Sequence, residues 1–478
     1  MTPRTGLVLL ALLTAGRLWL ASVLPLVPDE AYYWVWSRSL AAGYLDHPPM
    51  VALWIRLGTE LAGQGALGIR LLGPVSAALG SVLLWDAAER LFPGRRAGLA
   101  AAALLNATLL MGVGAVLMTP DTPLLFFWTA TLWAAARIAM GGGPAWWLIA
   151  GVCAGLAMAS KYTGVFLPLG LGLFALIAMP RALRHPAPWL GVLAAALVFL
   201  PVVAWNADHG WAGFARQGGR VAHWQPERAA TFLAELVAGQ AGLATPGVFV
   251  LCIVGTVWAI RRTAARARDP AWMLLAALSV PPMLMFLQHA IGDRVQGNWP
   301  AIVYPAAVVA AAGLTAPAWR RWIAPSCAIG FAVTLAVSAH VVSGWPVLPG
   351  ARDPAARQMF GWPDLAARVE VARLAAGADF VAAEPYGLAA ELAWWLPPGS
   401  KVVAIGPHWE TFALPRAPGT GRGLLIRPER YSGPPAPEDW RAPTAAARLA
   451  RTWGGEDIEG YAVFLGSTGP LASVLPAR

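Results

Sequence analysis

The sequence predicts a polytopic, all-helical membrane domain followed by a small α/β domain, and three observations lead there. Of 478 residues, 58% are hydrophobic and only 13% charged, where soluble domains carry about 25% charged residues. Mean hydropathy is +0.56, and apolar runs of about 17 to 22 residues recur, long enough to cross a hydrocarbon core of ~30 Å as helices. Beyond residue 343 the composition changes: Pro, Gly and charge increase and the long apolar runs stop.

Eleven segments read as spans: 6–27, 67–90, 97–118, 122–140, 145–160, 164–179, 187–205, 242–260, 271–288, 301–318 and 323–343. Several are near the short limit, which suits tilted, broken or re-entrant helices. The net charge of +10 sits largely in short connectors between them: Arg95 and Arg96, Arg181 and Arg184, Arg261, Arg262, Arg266 and Arg268, Arg320 and Arg321. That is the positive-inside pattern, so the basic excess reads as topology and gives little support to nucleic-acid binding. Arg17 interrupts the first apolar run without a small-residue cleavage site after it, so that run reads as a retained helix. Cys153, Cys252 and Cys327 all fall in apolar segments and read as small core hydrophobes.

With a cytoplasmic N-terminus, every Arg-rich connector falls on the cytoplasmic side. Loops 28–66, 119–121, 160–163, 206–241 and 289–300 then fall on the other side, as does the tail. The expected organisation is a transmembrane domain over 1–343 and an extracytoplasmic α/β domain over 344–478. Loop 28–66 contains AYYWVWSRSLAAG, whose Tyr33, Trp36 and Leu40 suit a helix lying in the membrane interface. Loop 206–241, with Trp211, Phe214, Trp224 and Phe232 among Arg216, Arg220 and Arg228, reads the same way. In the tail, DLAARVEVARLAAG and GLAAELAWWL read as helices and DFVAAE and KVVAIG as short buried strands. Their alternation predicts an α/β fold.

Charges in or beside spans are expensive, so each invites a functional hypothesis. The densest set is PDEAYYW…GYLDHPPM. Asp29 and Glu30 follow the first span, and Asp46 and His47 come sixteen residues after Glu30, stiffened by two prolines. A carboxylate there suits a general base toward an acceptor hydroxyl or amine, and His47 suits an anionic phosphate. The plainer reading is a helix cap for Asp29 and solvation for the others. Lys161, beside Tyr162, suits a lipid phosphate as a point charge, or else snorkels to headgroups. GDRVQGNWPA adds Arg294, Gln296, Asn298 and Trp299. These supply a forked donor for phosphate, amides for sugar hydroxyls and an apolar face for a sugar ring. Asp121, in MTPDTP, reads as a helix cap, Arg17 as a structural residue facing protein, and Glu384, Tyr386 and Glu391 as a solvated face of the tail, with lining of the cavity from above as the alternative.

PDEAYYWVWSRSLAAGYLDHPPMVALWIRL, TPDTPLLFFW, SKYTG, RVQGNWPAIVYPA and PYGLAAELAWWL occur in that order. In series they resemble the bacterial glycosyltransferases of the GT-C superfamily, related to the protein O-mannosyltransferases and the aminoarabinose–lipid A transferase. The resemblance implies a catalytic Asp in the first outer loop, here Asp29 next to Glu30. It also implies a polyprenyl-phosphate-linked sugar donor and inverting displacement at the anomeric carbon. Where that transferase has an acid–lysine–proline–proline motif for metal and lipid phosphate, this sequence has Asp46-His47-Pro48-Pro49, with histidine in place of lysine. Lys161 and Arg294 are candidates to share the phosphate. The resemblance admits a divalent cation (Mg2+, Mn2+ or Zn2+), with Asp46 as its candidate ligand.

The expected activity is therefore transfer of a sugar to a lipid, glycan or protein of the envelope, at the periplasmic face of a bacterial inner membrane. The alternative is a secondary transporter or lipid flippase. Transporters often show paired halves with broken helices at the midplane, whereas no repeat is detectable here and the polar residues gather at one face.

Overall fold

Apolar chain without water can satisfy its N–H and C=O groups only within its own helices, and the first 343 residues fold accordingly. The computed structural model describes residues 2–219, 224–265, 269–345, 352–417, 421–431, 433–469 and 472–478. Arg220, Arg266 and Arg268 lie outside them. The chain divides into two compact units. One comprises Met1–Leu20, Asp46–Val51 and Arg70–Ser338; the other comprises Ala21–Leu45, Ala52–Ile69 and Ala339–Arg478.

In the described residues six helices are long and apolar enough to cross a membrane: Pro3–Val23, Ala66–Leu91, Pro186–Asp208, Pro246–Ala265, Pro270–His289 and Pro317–Ser343. Shorter apolar helices occupy Ala97–Asn106, Ala145–Met158, Tyr162–Ala178 and Trp299–Ala312, and a 19-residue helix runs from Asp121 to Ala139. The chain is a multi-pass membrane protein. Each of the eleven segments read from the sequence carries a helix at its place. The segment 97–118 is split, because the Thr108 side chain accepts from the Met111 N–H at 3.1 Å and starts a second helix, Leu109–Gly114.

Small residues bring the backbones of the first unit together. Gly151 and Gly155 of Ala145–Met158 meet Gly191 and Ala195 of Pro186–Asp208, and a Cβ on Gly155 would fall 2.8 Å from the Ala195 carbonyl oxygen. This is the close approach that small residues four apart permit where the solvent is as apolar as leucine. Arg17, only 2% exposed, donates to Asn106 Oδ1 at 2.9 Å and to the Met111 carbonyl at 3.1 Å. Asn106 in turn donates to Ser81 Oγ at 2.8 Å. Arg17 is thus held by neutral acceptors inside the bundle, as its place in the first helix predicts.

The second unit is built on a six-stranded sheet: β1 (Phe380–Ala383), β2 (Val402–Ala404), β3 (Gly423–Pro428), β4 (Trp440–Trp453), β5 (Glu456–Thr468) and β6 (Ser473–Val474). Spatial order is β4-β5-β3-β1-β2-β6. β1 pairs parallel with β2 and β3, and the other pairings are antiparallel. The parallel centre is buried along β1 and β2, which is why these strands read as continuous apolar runs. Phe380, Val403, Leu425 and Trp440 form its core.

The interfacial reading of AYYWVWSRSLAAG is corrected. The helix is Pro28–Arg38, and Glu30 through Ser37 are all buried, while Leu40 lies beyond its end. Tyr32 packs on Tyr386 (ring centroids 4.5 Å) and Trp409 (5.0 Å), and Trp34 packs edge-on against Trp394 (5.1 Å). A stripe that suits a membrane surface instead meets helix Tyr386–Trp395, whose residues lie some 350 positions away in sequence. An outward apolar stripe does occur on Met50–Ala62, where Leu53, Leu57 and Leu61 are 41%, 47% and 66% exposed. Loop 206–241 likewise folds into short helices, Ala212–Gly219 and the first part of Ala229–Leu243, with Phe232 and Leu236 buried.

Candidate active site

In the second unit, Pro28 at the first position of its helix supplies a fixed φ where no N–H is needed. Glu30, fully buried, accepts the Val27 N–H on Oε2 at 3.1 Å. The cap anticipated for Asp29 is therefore supplied by Glu30, which fixes the start of the helix. Asp29 is exposed, and its Oδ1 accepts the Tyr386 hydroxyl at 2.9 Å. A Cβ on Gly387 would come within 2.8 Å of Pro28 Cβ, so the glycine lets the two helix starts approach. Asp29 lines a cavity of about 790 Å³ together with Tyr386 and the arginines 357, 430 and 451.

The expected solvated face in the tail is also corrected. Glu391 is fully buried and accepts the Trp395 indole N–H at 3.0 Å. Glu384 lies 3.0 Å from the Arg427 guanidinium. Burial raises the Glu384 carboxyl pKa, with Arg427 pulling the other way and Asp439 adding to the rise.

In the first unit, residues from three separate loops meet at Asp121. Lys161 Nζ donates to both of its carboxylate oxygens, at 2.8 and 3.0 Å, and Asn298 Nδ2 donates to Oδ2 at 2.6 Å. Asp121 does not cap its helix, because Pro120 holds that position and the carboxylate is taken by the lysine. Nearby in sequence, Tyr162 accepts from Asn206 Nδ2 at 3.3 Å and packs on Phe214 (5.1 Å).

Asp46 is 7% exposed. Its Oδ1 accepts from Arg216 Nε at 3.3 Å, and its carbonyl accepts from Gln217 Nε2 at 2.6 Å. The helix Ala212–Gly219 therefore grips the DHPP segment. His47 is half-buried in the same segment. Asp46 faces a guanidinium, and among the described residues no three His, Cys, Asp or Glu side chains gather to hold an ion. These donors do not fit a divalent cation, and no step below is routed through one.

Arg294, expected to offer its fork to phosphate, has it filled. Its Nε and Nη2 donate to the Glu235 carboxylate, both at 2.7 Å, on the exposed surface. That hydrogen bond lowers the Glu235 pKa and raises that of Arg294. Gln296 is exposed and Trp299 packs near His289, ring centroids 5.7 Å apart. The sequence thus named Lys161 and Asn298 but missed the carboxylate joining them. It also missed Arg216 and Gln217 as the clamp on Asp46, and Tyr386 as the partner of Asp29.

Known proteins resemble the chain in sequence and in fold. The family described as dolichyl-phosphate-mannose-protein mannosyltransferase matches residues 46–205. The chain is 29% identical over 446 residues to the lipid A galacturonosyltransferase RgtD of Rhizobium johnstonii, covering 89% of this chain and 91% of that one. Its fold matches the crystal structure of ArnT from Cupriavidus metallidurans bound to undecaprenyl phosphate, with TM-score 0.64 and 16% identity, over 97% of this chain and 98% of that one. The apo form of ArnT matches with TM-score 0.63 and 18% identity, over the same shares of the two chains. These similarities support a glycosyltransferase. Its mostly helical fold with a C-terminal sheet is that of ArnT.

Proposed function

We propose that the transferase moves a sugar from a polyprenyl-phosphate-linked donor to an envelope lipid of the lipid A type, with inversion, at the periplasmic face of the inner membrane. The acceptor hydroxyl oxygen bonds to the anomeric carbon as the bond from that carbon to the phosphate oxygen breaks, and polyprenyl phosphate leaves. The acceptor proton passes to Asp29. The observation that carries this assignment is Asp29 itself: an exposed carboxylate at a capped helix start, aligned by one phenol and lining a cavity large enough for a sugar headgroup.

Lys161 and Asn298, organised by Asp121, are assigned to the departing phosphate, with Tyr162, His47, Gln296 and Trp299 around the donor. A lysine ammonium supplies a compact charge where negative charge develops on the leaving group. Asp46 is assigned to positioning its segment, and Arg294 reaches phosphate only on release from Glu235.

The eleven helical segments are taken as eleven crossings, with a transmembrane domain over 1–343 and an extracytoplasmic domain over 344–478. Two contacts support this sidedness. Arg95 donates to the Gly313 carbonyl at 2.8 Å and Arg320 to the Arg95 carbonyl at 3.0 Å, so connectors assigned to the cytoplasm share one end of the bundle. Asp121, Lys161 and Asn298 draw together loops assigned to the other side.

The test is purified protein in lipid nanodiscs, given a polyprenyl-phosphate sugar and lipid A, with the galacturonate donor tried first because of the likeness to RgtD. Free polyprenyl phosphate and a lipid A mass increase of one sugar residue are expected. Asp29→Asn should keep the melting temperature and lose about 100-fold or more in kcat, the usual weight of a general base. No free polyprenyl phosphate from any donor would overturn the assignment.

A further inference from the structure

The cavity beside Asp29 carries more positive charge than its own carboxylates neutralise. Its lining includes Arg357, Arg430 and Arg451 against Asp29 and Glu459. Arg430 is committed: it forms an ion pair with Glu459, which also accepts the Tyr461 hydroxyl at 2.8 Å. Arg451 is 3% exposed and built in. Its two terminal nitrogens donate to the carbonyls of Ala356, Phe360 and Arg357 at 2.8 to 3.2 Å, and its plane lies 4.1 Å from the Trp362 ring centroid. Its third donor, Nε, is buried and has no partner. Arg357 is exposed, and among the described residues its guanidinium has no carboxylate. A buried orphan donor and a free forked cation, lining one cavity, are the features of a site that awaits an oxyanion.

Two considerations say which substrate brings that oxyanion. The base must touch the acceptor, since it takes the acceptor's proton, so a cavity that Asp29 lines lies on the acceptor's side of the reaction. At about 790 Å³ it also exceeds the needs of one monosaccharide and suits a larger sugar headgroup.

We infer that this cavity is the acceptor subsite and that Arg357, with Arg451 behind it, binds a phosphate or carboxylate on the acceptor's headgroup. The inference rests on the assignment of Asp29 as base. It makes an anionic glycolipid the preferred acceptor and gives Arg357 a specificity role separate from the chemistry at the anomeric carbon.

The experiment compares wild type, Arg357→Ala and Arg357→Lys with two acceptors, lipid A carrying its phosphates and the same lipid after dephosphorylation, at saturating donor. Binding of both lipids to the three proteins is measured in parallel without donor. Expected for Arg357→Ala is a rise of about 10-fold or more in the KM and Kd of phosphorylated lipid A, the weight of one lost charge-assisted hydrogen bond. The dephosphorylated lipid should show little change, and Arg357→Lys should recover part of the loss. An equal change for both lipids, a change in donor KM instead, or no change in either overturns the inference. A carboxylate-bearing acceptor that responds to Arg357→Ala while phosphorylated lipid A does not would assign the same site to a carboxylate. If wild type transfers nothing, the proposed activity fails, and the binding measurement still decides whether the cavity takes the anion.

Discussion

Removing Asp121 should expose how strongly the first unit depends on the pairing of Lys161. The two side chains are only 9% and 11% exposed, and the carboxylate receives two hydrogen bonds from the ammonium and a third from Asn298. Asp121→Ala leaves a buried ammonium without its counter-charge. Breaking a buried pair from one side costs about 3–5 kcal/mol, because the remaining charge stays desolvated and unpaired. Replacing both partners with apolar residues of similar volume is often close to neutral. The double variant Asp121→Leu/Lys161→Met should therefore recover most of that stability, giving a coupling of about 3 kcal/mol in a double-mutant cycle. Denaturant unfolding in mixed micelles, followed by tryptophan fluorescence, measures all four corners. If Asp121→Ala costs less than about 1 kcal/mol, or the two changes add without coupling, the pair behaves like an exposed one and the reasoning fails. The recovered double variant should still be inactive, since Lys161 is assigned to the donor phosphate.

Other outcomes follow from single contacts. Tyr386→Phe removes a hydroxyl that holds Asp29 and should lower kcat about 10-fold with little change in melting temperature, read by product formation against calorimetry. Glu370 accepts two bonds from Arg373, at 2.7 and 2.8 Å, and the leading one pulls its pKa down. Its contribution is present above the ordinary glutamate range and is lost as pH falls through the depressed value. Glu370→Gln should thus cost up to about 1 kcal/mol at pH 7, and the difference from wild type should vanish in acid unfolding curves. Glu235→Gln frees the Arg294 fork; stability should not change measurably, and inorganic phosphate should become a better inhibitor of transfer. Gly155→Val forces a side chain into the Ala195 backbone, and overpacking of about 1–3 kcal/mol or more should show as poor accumulation in the membrane.

The spans were legible because hydrocarbon leaves one way to satisfy the backbone, and length alone then marks a crossing. The strands around Val381 and Val403 were legible for a related reason: a parallel strand covered on both faces needs apolar residues at every position. The β4–β5 hairpin escaped notice because RAPTAAARLARTW, exposed over most of its length, is dominated by Ala and Arg and has only Thr444 and Thr452 as β-branched residues that mark a strand. Aromatic spacing around Tyr33 and Trp36 indicated an apolar surface but not what would cover it. Partners far along the chain were the hidden part. Asp121 and Asn298 are 177 residues apart, and Asp29 and Tyr386 are 357 apart; a charge in isolation reads as solvated or capping until its partner is in place.

The division of the chain into interleaved units has a consequence for its synthesis. The sheet-bearing unit takes Ala21–Leu45 and Ala52–Ile69 from near the start of translation and Ala339–Arg478 from its end. The Pro28–Arg38 helix emerges with Tyr32, Trp34 and Trp36 uncovered, and Trp394 and Trp409 follow hundreds of residues later. Tyr44 can cover Trp36 early, but Tyr32 and Trp34 wait for partners from the end of the chain, an exposure that favours holding factors. A ribosome that stops before residue 380 releases a protein whose membrane helices are complete but whose first loop has no partner, a natural substrate for quality control.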